Sequence, residues 1–543
     1  MIIQSLRSFS MEKIFAFLWL LSCYPLCSKA QQNTGRVDIQ HYRFSIEVSD
    51  LNDTIRGTAE IELEMAGSSL SLDLATLDSA GRGMHVSQVK EDNRDLMFTH
   101  SDNTLKILFA ENGSLSTHRK LSVSYYGIPS DGLIISRNKF NHRTFFADNW
   151  PNRAHYWIPC IDHPSDKATV DFIVMAPDHY QVIANGQKTE EINWPGHLRE
   201  THYQESVELP TKEMAIGVAD FAVHYAGAYQ CIPVYSWVFP EERVNGFFDY
   251  DLALDILPYF ITRVCPYPYK KLANVESRTR FGGAENANAI FYSENSIRGD
   301  RSNESLLVHE IAHQWFGNSA TEKDWRHLWL SEGFATYMTH LYLEHKYGSD
   351  TLRFRMSADR QKVIDFARIR HTPVVDSSAA PDFMKLLNAN SYQKGGWVLH
   401  MLHQKIGDAA FWMGIRAYYA RFAGHNADTD DFRREMEKAS GTDLGKFFQQ
   451  WLWTPGHPVL DIKWKYRAKP AGVVLQITQL QSPLFEFPLQ VLPIAGGGPL
   501  VATTVEIKQK RTEIVIPMAE RPLELKFDPD VNLLFETASP KHP

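Results

Sequence analysis

The chain has 543 residues, 44% of them hydrophobic and 22% charged, and it carries no long low-complexity tract. That is ordinary globular material, long enough for about three domains. A formal net charge of −8 argues against a general nucleic-acid binder, which presents a basic surface.

At the start of the chain Lys13 precedes an apolar run over 14–21, and Ser28-Lys29-Ala30 offers small residues at both cleavage-site positions. This is the pattern of a secretory signal peptide over residues 1–30, cleaved after Ala30. The run is too short for a stable membrane span, which takes about 20 residues. Export to the periplasm or the extracellular space is therefore expected. Cys23 and Cys27 fall within the signal. The widely spaced Cys160, Cys231 and Cys265 form no disulfide framework, and at most one bridge can form among them.

From 31 to 227 the pattern is short alternating runs, for example 42–48 and 58–64, separated by Asn, Asp and Gly turns. Period-two alternation of this kind reads as an antiparallel β-domain. Over 228–456 longer helical segments take over, among them 249–264, 304–316, 332–347 and 394–406. The turn-rich stretch 452–458 then breaks the chain, and alternation returns at 459–466 and beyond. A small β-sandwich over 457–543 is expected. The fold class is multi-domain α+β, in the order β, α-rich, β.

The chemistry concentrates in the middle region. His309 and His313 are four apart, so on a helix their imidazoles share one face and converge on a single metal. H-E-x-x-H also arises by chance, and two histidines on a short helix are often only a solvated face. Here the flanks favour a buried helix. Ser302 or Asn303 is available as a cap, Leu307, Val308, Ile311, Ala312, Trp315 and Phe316 wrap it broadly, and Gly317-Asn318 supplies a stop. Buried imidazoles need partners. Glu310 is not placed to be a third ligand, whereas Glu332 in a second helical segment is. H-E-x-x-H-x18-E leaves a fourth position open, as a catalytic zinc requires and a structural zinc does not.

Two further stretches are weak alone. Gly282-Gly283-Ala284-Glu285-Asn286 lets backbone approach a ligand beside one carboxylate, and Ser391-Tyr392-Gln393-Lys394-Gly395 surrounds a tyrosine. Taken in order with the metal motif, they resemble the gluzincin zinc aminopeptidase family, which includes aminopeptidase N and leukotriene-A hydrolase. That family carries G-x-M-E-N, then H-E-x-x-H-x18-E, then a tyrosine in a Y-x-K-G-like context. The segments 313–318, 328–335 and 159–168 are similar to family segments too.

The resemblance implies an N-terminal antiparallel β saddle, a thermolysin-like catalytic domain and a C-terminal β-sandwich. The three-domain form without the helical C-terminal domain is expected, and with it a more open site. His309, His313 and Glu332 would hold one zinc ion, Glu310 would act as general base, and Tyr392 would stabilise the oxyanion. Glu285 would bind the free α-ammonium of a peptide, beside glycine-rich backbone that could pair with the substrate as an added strand.

Three departures from the family pattern stand out. Ala284 replaces the usual methionine, which suggests a roomier pocket for bulky apolar N-terminal side chains. Ala147-Asp148-Asn149-Trp150 stands where the family has T-Q-x-E, leaving Asp148 as the candidate second acidic contact to the amine. Asp324 and His327 stand where tryptophan and aspartate are usual, with no functional account. The rival readings are epoxide hydrolysis on a lipid, a non-catalytic scaffold and a zinc endopeptidase. Nothing in the sequence demands a lipid tunnel, no ligand has been lost, and an endopeptidase would have no use for Glu285. The sequence leaves the oligomeric state open.

Overall fold

The computed structural model describes residues 37–109 and 118–538. The expected signal peptide, residues 1–30, lies outside the described residues. Among these, no helix is long and apolar enough to cross a membrane, and Cys160, Cys231 and Cys265 are free.

The N-terminal region is built on an eight-stranded sheet. In Ile55–Glu64 the alternate residues Ile55, Ala59, Ile61 and Leu63 face the core while Arg56 faces solvent, as the period-two pattern requires. The sheet is not wholly antiparallel. Asp38–Glu47 pairs in parallel with Lys167–Pro177, Tyr42 standing opposite Val170. Parallel neighbours need a long crossover, and here the described chain between them supplies nine further strands of the region. A second, four-stranded sheet contains Arg143–Ala147, which delivers Asp148 to Trp150 toward the middle of the molecule.

A five-stranded sheet opens the next region, in the order Ala222–Tyr229, Ile232–Val238, Leu272–Ser277, Ala289–Ser293, Gly283–Ala284. The last is a two-residue edge strand, antiparallel to Tyr292 and Phe291. The helices follow. Three matter for the site: α1 (Glu304–His313), α2 (Trp329–Tyr347) and α3 (Gly395–Ile406). The segment expected as one helix over 249–264 is two helices, Arg243–Tyr250 and Ala253–Arg263. The break follows Asp249, a buried residue whose carboxylate accepts the backbone N–H groups of Arg298, Gly299 and Arg301. Helix α1 stops at His313 rather than Phe316. Asn303 occupies its N-cap position, but its side chain makes no capping bond.

The C-terminal region is β-rich. One sheet holds Arg511–Pro517, Ala471–Gln479, Val459–Ala468 and Glu536–Thr537, and the other centres on Phe487–Ala495. Leu460, Val473, Leu475, Leu489 and Val491 belong to the buried core.

Candidate active site

Helix α1 is apolar on most sides, with Leu307, Val308, Ile311 and Ala312 fully buried. Its histidines emerge on the remaining face, toward α2. The Nε2 atoms of His309 and His313 lie 3.1 Å apart, and Glu332 Oε2 stands 3.3 Å from each. A tetrahedral zinc with bonds of about 2.0–2.1 Å sets its ligand atoms about 3.3 Å from one another. The triad therefore fits zinc, and it is the one such His/Cys/Asp/Glu group among the described residues. Burial opposes charging His313, yet the Glu332 carboxylate pulls its pKa up to about 10. Burial opposes ionisation of Glu332 in turn, yet His313 and His309 draw it well below the usual carboxylate range. Glu332 thus favours a cation at His313 Nε2, the position a metal would take.

The tautomer of His313 is fixed from behind. Its Nδ1 lies 3.1 Å from both Phe316 O and Ser331 Oγ, so Nδ1 carries the proton and the Nε2 lone pair is free to ligate. Gly317 makes that shell fit. It has φ +116°, and a Cβ there would come within 2.3 Å of Ser331 Oγ and 3.1 Å of His313 Nδ1. Phe316 stacks on Phe334 of α2 at 4.7 Å between centroids. Such pairs contribute about 0.5–1.5 kcal/mol beyond burial, and this one holds the turn after α1 against the helix that carries Glu332.

The triad opens on a cavity of about 250 Å³ that Glu285, Glu310 and Tyr392 also line. Glu310 approaches closely because Gly283 has no side chain: a Cβ there would meet the Glu310 carboxylate at 2.2 Å. Burial, with the Glu285 and Glu332 charges, raises the Glu310 pKa far above the usual range, and His313 opposes this. Glu285 is 9% exposed, and its Oε1 is buried with no hydrogen-bond partner. A buried unpaired carboxylate oxygen at a cavity wall is costly unless a cation meets it. Tyr392 stacks parallel to His309, with centroids 6.0 Å apart and 12° between planes. Burial and the Glu332 and Glu285 charges raise its pKa, so it stays a neutral hydroxyl able to donate. It sits in a single π-helical turn, Asn390–Lys394, a feature frequent at functional sites. Lys394 Nζ ties that turn to Gly456 O at 2.8 Å.

The structure thus brings together His309, Glu310, His313, Glu332, Gly282, Gly283, Glu285 and Tyr392. Two candidates lie outside the cavity lining. Asp148 is buried, with Arg153 at 3.1 Å and Arg280 at 3.5 Å. Ala284 is buried opposite Phe291 and is not among the lining residues. The apolar wall is instead Trp150, Phe281, Leu306 and Leu387. No periodicity singles these out, because they come from different elements. His327 is a packing residue, buried with Nδ1 2.9 Å from Thr429 Oγ1, and Asp324 caps a short 3-10 turn. Sequence reading missed Ser331, whose signal was a lone hydroxyl beside a ligand in an apolar run.

Similarity to known proteins falls on the same regions. The Peptidase M1 N-terminal domain matches residues 39–212 and the Peptidase family M1 domain matches residues 248–451. "Probable aminopeptidase 2" of Sulfurisphaera tokodaii is 26% identical over 443 residues, covering 78% of this chain and 54% of that protein. "Aminopeptidase M1-C" of Oryza sativa subsp. japonica is 30% identical over 330 residues, covering 58% and 37%. The chain spans about half the length, or less, of the curated relatives it matches. In solved structures, Legionella pneumophila aminopeptidase A, crystallised with aspartic acid, superposes with a TM-score of 0.79 at 16% identity. That match covers 94% of this chain and 61% of the other, a likeness of fold.

Proposed function

Because the chain belongs to peptidase family M1, we propose that it is a zinc-dependent aminopeptidase acting on peptides with a free N-terminus. The carrying observation is one cavity that joins the His309–His313–Glu332 triad to the unpartnered carboxylate oxygen of Glu285.

His309, His313 and Glu332 would hold one zinc ion, which when bound polarises the scissile carbonyl and acidifies a water molecule. Glu310 takes the proton of the attacking water on its carboxylate and returns it to the leaving amine. Tyr392 donates its hydroxyl proton in a hydrogen bond to the oxyanion, a contribution of about 3 kcal/mol for donors of this kind. Glu285 binds the α-ammonium, a charge-assisted contact that registers the first peptide bond over the triad. Trp150, Phe281, Leu306 and Leu387 give the N-terminal side chain an apolar surround, which supports a preference for bulky apolar residues.

A panel of aminoacyl amides, free or N-acetylated, tests this on wild type and Glu310→Gln. Free substrates should be cleaved, phenylalanine and leucine amides faster than alanine amide, and acetylated ones should not. The zinc-loaded Glu310→Gln protein should show no turnover. Efficient cleavage of acetylated peptides would overturn the exopeptidase reading, and equal rates on alanine would remove the side-chain preference.

A further inference from the structure

The segment His313-Gln314-Trp315-Phe316-Gly317-Asn318 supplies one ligand, a locking contact and the glycine behind it. Gln314 follows that ligand directly and is fully buried. Its Nε2–H donates to the backbone carbonyl of Glu285 at 2.8 Å. Its Oε1 accepts the backbone N–H of Asn288 at 2.7 Å and the hydroxyl of Tyr267 at 3.4 Å. Two donors meet the oxygen and a carbonyl meets the nitrogen, so only one orientation of the amide satisfies the network. One side chain thereby grips both ends of the turn 285–288.

The rest of the turn is held as firmly. Asn318, four residues on, donates a second bond to Glu285 O at 2.6 Å. Asn288 has left-handed backbone, φ +54°. Its Oδ1 accepts Gly186 N–H at 2.7 Å and the Lys271 ammonium at 2.6 Å, and its Nδ2 donates to Glu205 at 2.6 Å. The turn is clamped between the N-terminal region and the end of helix α1. Burying the Gln314 and Asn288 amides is tolerable because these bonds satisfy them. Glu285 Oε1 is unpaired, and Glu285 lines the cavity.

We propose that Gln314 is the positioning residue that fixes the distance from the amine-binding carboxylate to the metal triad. It sets where along a peptide the cut falls. This rests on the aminopeptidase reading. The side chain touches neither substrate nor metal. It acts through the backbone of Glu285, and a shift of about 1 Å in such a contact can cost about 100-fold. Gln314→Leu removes both grips, while Gln314→Glu keeps an acceptor for Asn288 N–H and loses the donor to Glu285 O.

The test measures kcat and KM on phenylalanine anilide and its N-acetyl counterpart, with bound zinc per chain, in wild type, Gln314→Leu, Gln314→Glu, Glu285→Gln and the Glu285→Gln/Gln314→Leu double variant. Gln314→Leu should lower kcat/KM on the free amine about 10- to 100-fold, mainly through KM, at unchanged zinc content. Gln314→Glu should fall between it and wild type. In the Glu285→Gln background, Gln314→Leu should cost less than about 2-fold, because the group it aims is gone. Equal losses in both backgrounds would make Gln314 a merely structural residue and overturn the proposal, as would wild-type KM in both single variants. If Glu285→Gln raises KM and Gln314→Leu does not, the Gln314 assignment alone fails. If wild type treats free and acetylated substrates alike, the amine anchor fails and Gln314 falls with it.

Discussion

At the scale of single residues, the site depends on atoms that are missing as much as on those present. Gly317 combines a positive φ with a position where a Cβ would enter the space of Ser331 Oγ and His313 Nδ1. Gly317→Ala should therefore disturb the hydrogen bonds behind one ligand while leaving all three ligands in the sequence. Changes to such outer partners typically cost 10- to 100-fold in metal affinity, a loss that titration against a competing chelator would measure. Wild-type affinity would show that Gly317 is only a helix stop. The triad itself was legible at this scale, because four residues on a helix bring two side chains to one face whatever surrounds them. The roles expected of Asp148 and Ala284 were not. Which way a side chain points, and whether an arginine has already paired with it, depends on neighbours far away in the chain.

Between elements, the decisive contact is a crossing of two glycines. A Cβ on Gly333, next to the ligand Glu332, would lie 2.9 Å from the Gly395 backbone and 3.2 Å from Ser391 O. Gly395 starts α3, directly after the turn that carries Tyr392. The backbones touch there, so α2 sets the position of the tyrosine hydroxyl relative to the triad. Gly333→Ala should destabilise the protein by about 1–3 kcal/mol through overpacking, against a helix-propensity gain of about 1 kcal/mol. It should lower kcat more than it raises KM. Denaturant unfolding and steady-state kinetics would check both, and an Ala variant with unchanged kcat would separate the crossing from the tyrosine. Sequence periodicity foretold α1, α2 and α3 to within a few residues. It did not foretell the π-turn, because tethers at Thr372 and Gly456 hold that turn from outside.

The regions of the molecule meet through buried polar side chains. Lys167, from the first region, reaches the carbonyls of Asn318 and Ser319 at 3.3 and 2.8 Å, just beyond the metal motif. On the opposite side, His400 of α3 donates from Nε2 to Val531 O of the C-terminal region at 3.1 Å, and its Nδ1 lies 3.2 Å from the Tyr337 hydroxyl. Burial, aided by His403, pushes the His400 pKa down to about 4, below the ordinary 6.5. As pH falls from about 6.5 toward 4, the unfolded chain takes up a proton that the folded chain refuses, so this contribution to stability is present above that window and lost within it. The thermal midpoint should drop between pH 7 and pH 5, and His400→Gln, which cannot titrate, should flatten that part of the curve. Parallel curves for the two proteins would acquit His400. The sequence by itself determined the β, α-rich, β order, the three-ligand centre and the partner carboxylates, because local periodicity and residue chemistry carry those. Only the tertiary structure decided what faces the cavity, what holds Glu285 and Tyr392 in place and where the regions join, because those contacts span scores of residues and leave no periodic trace in the chain.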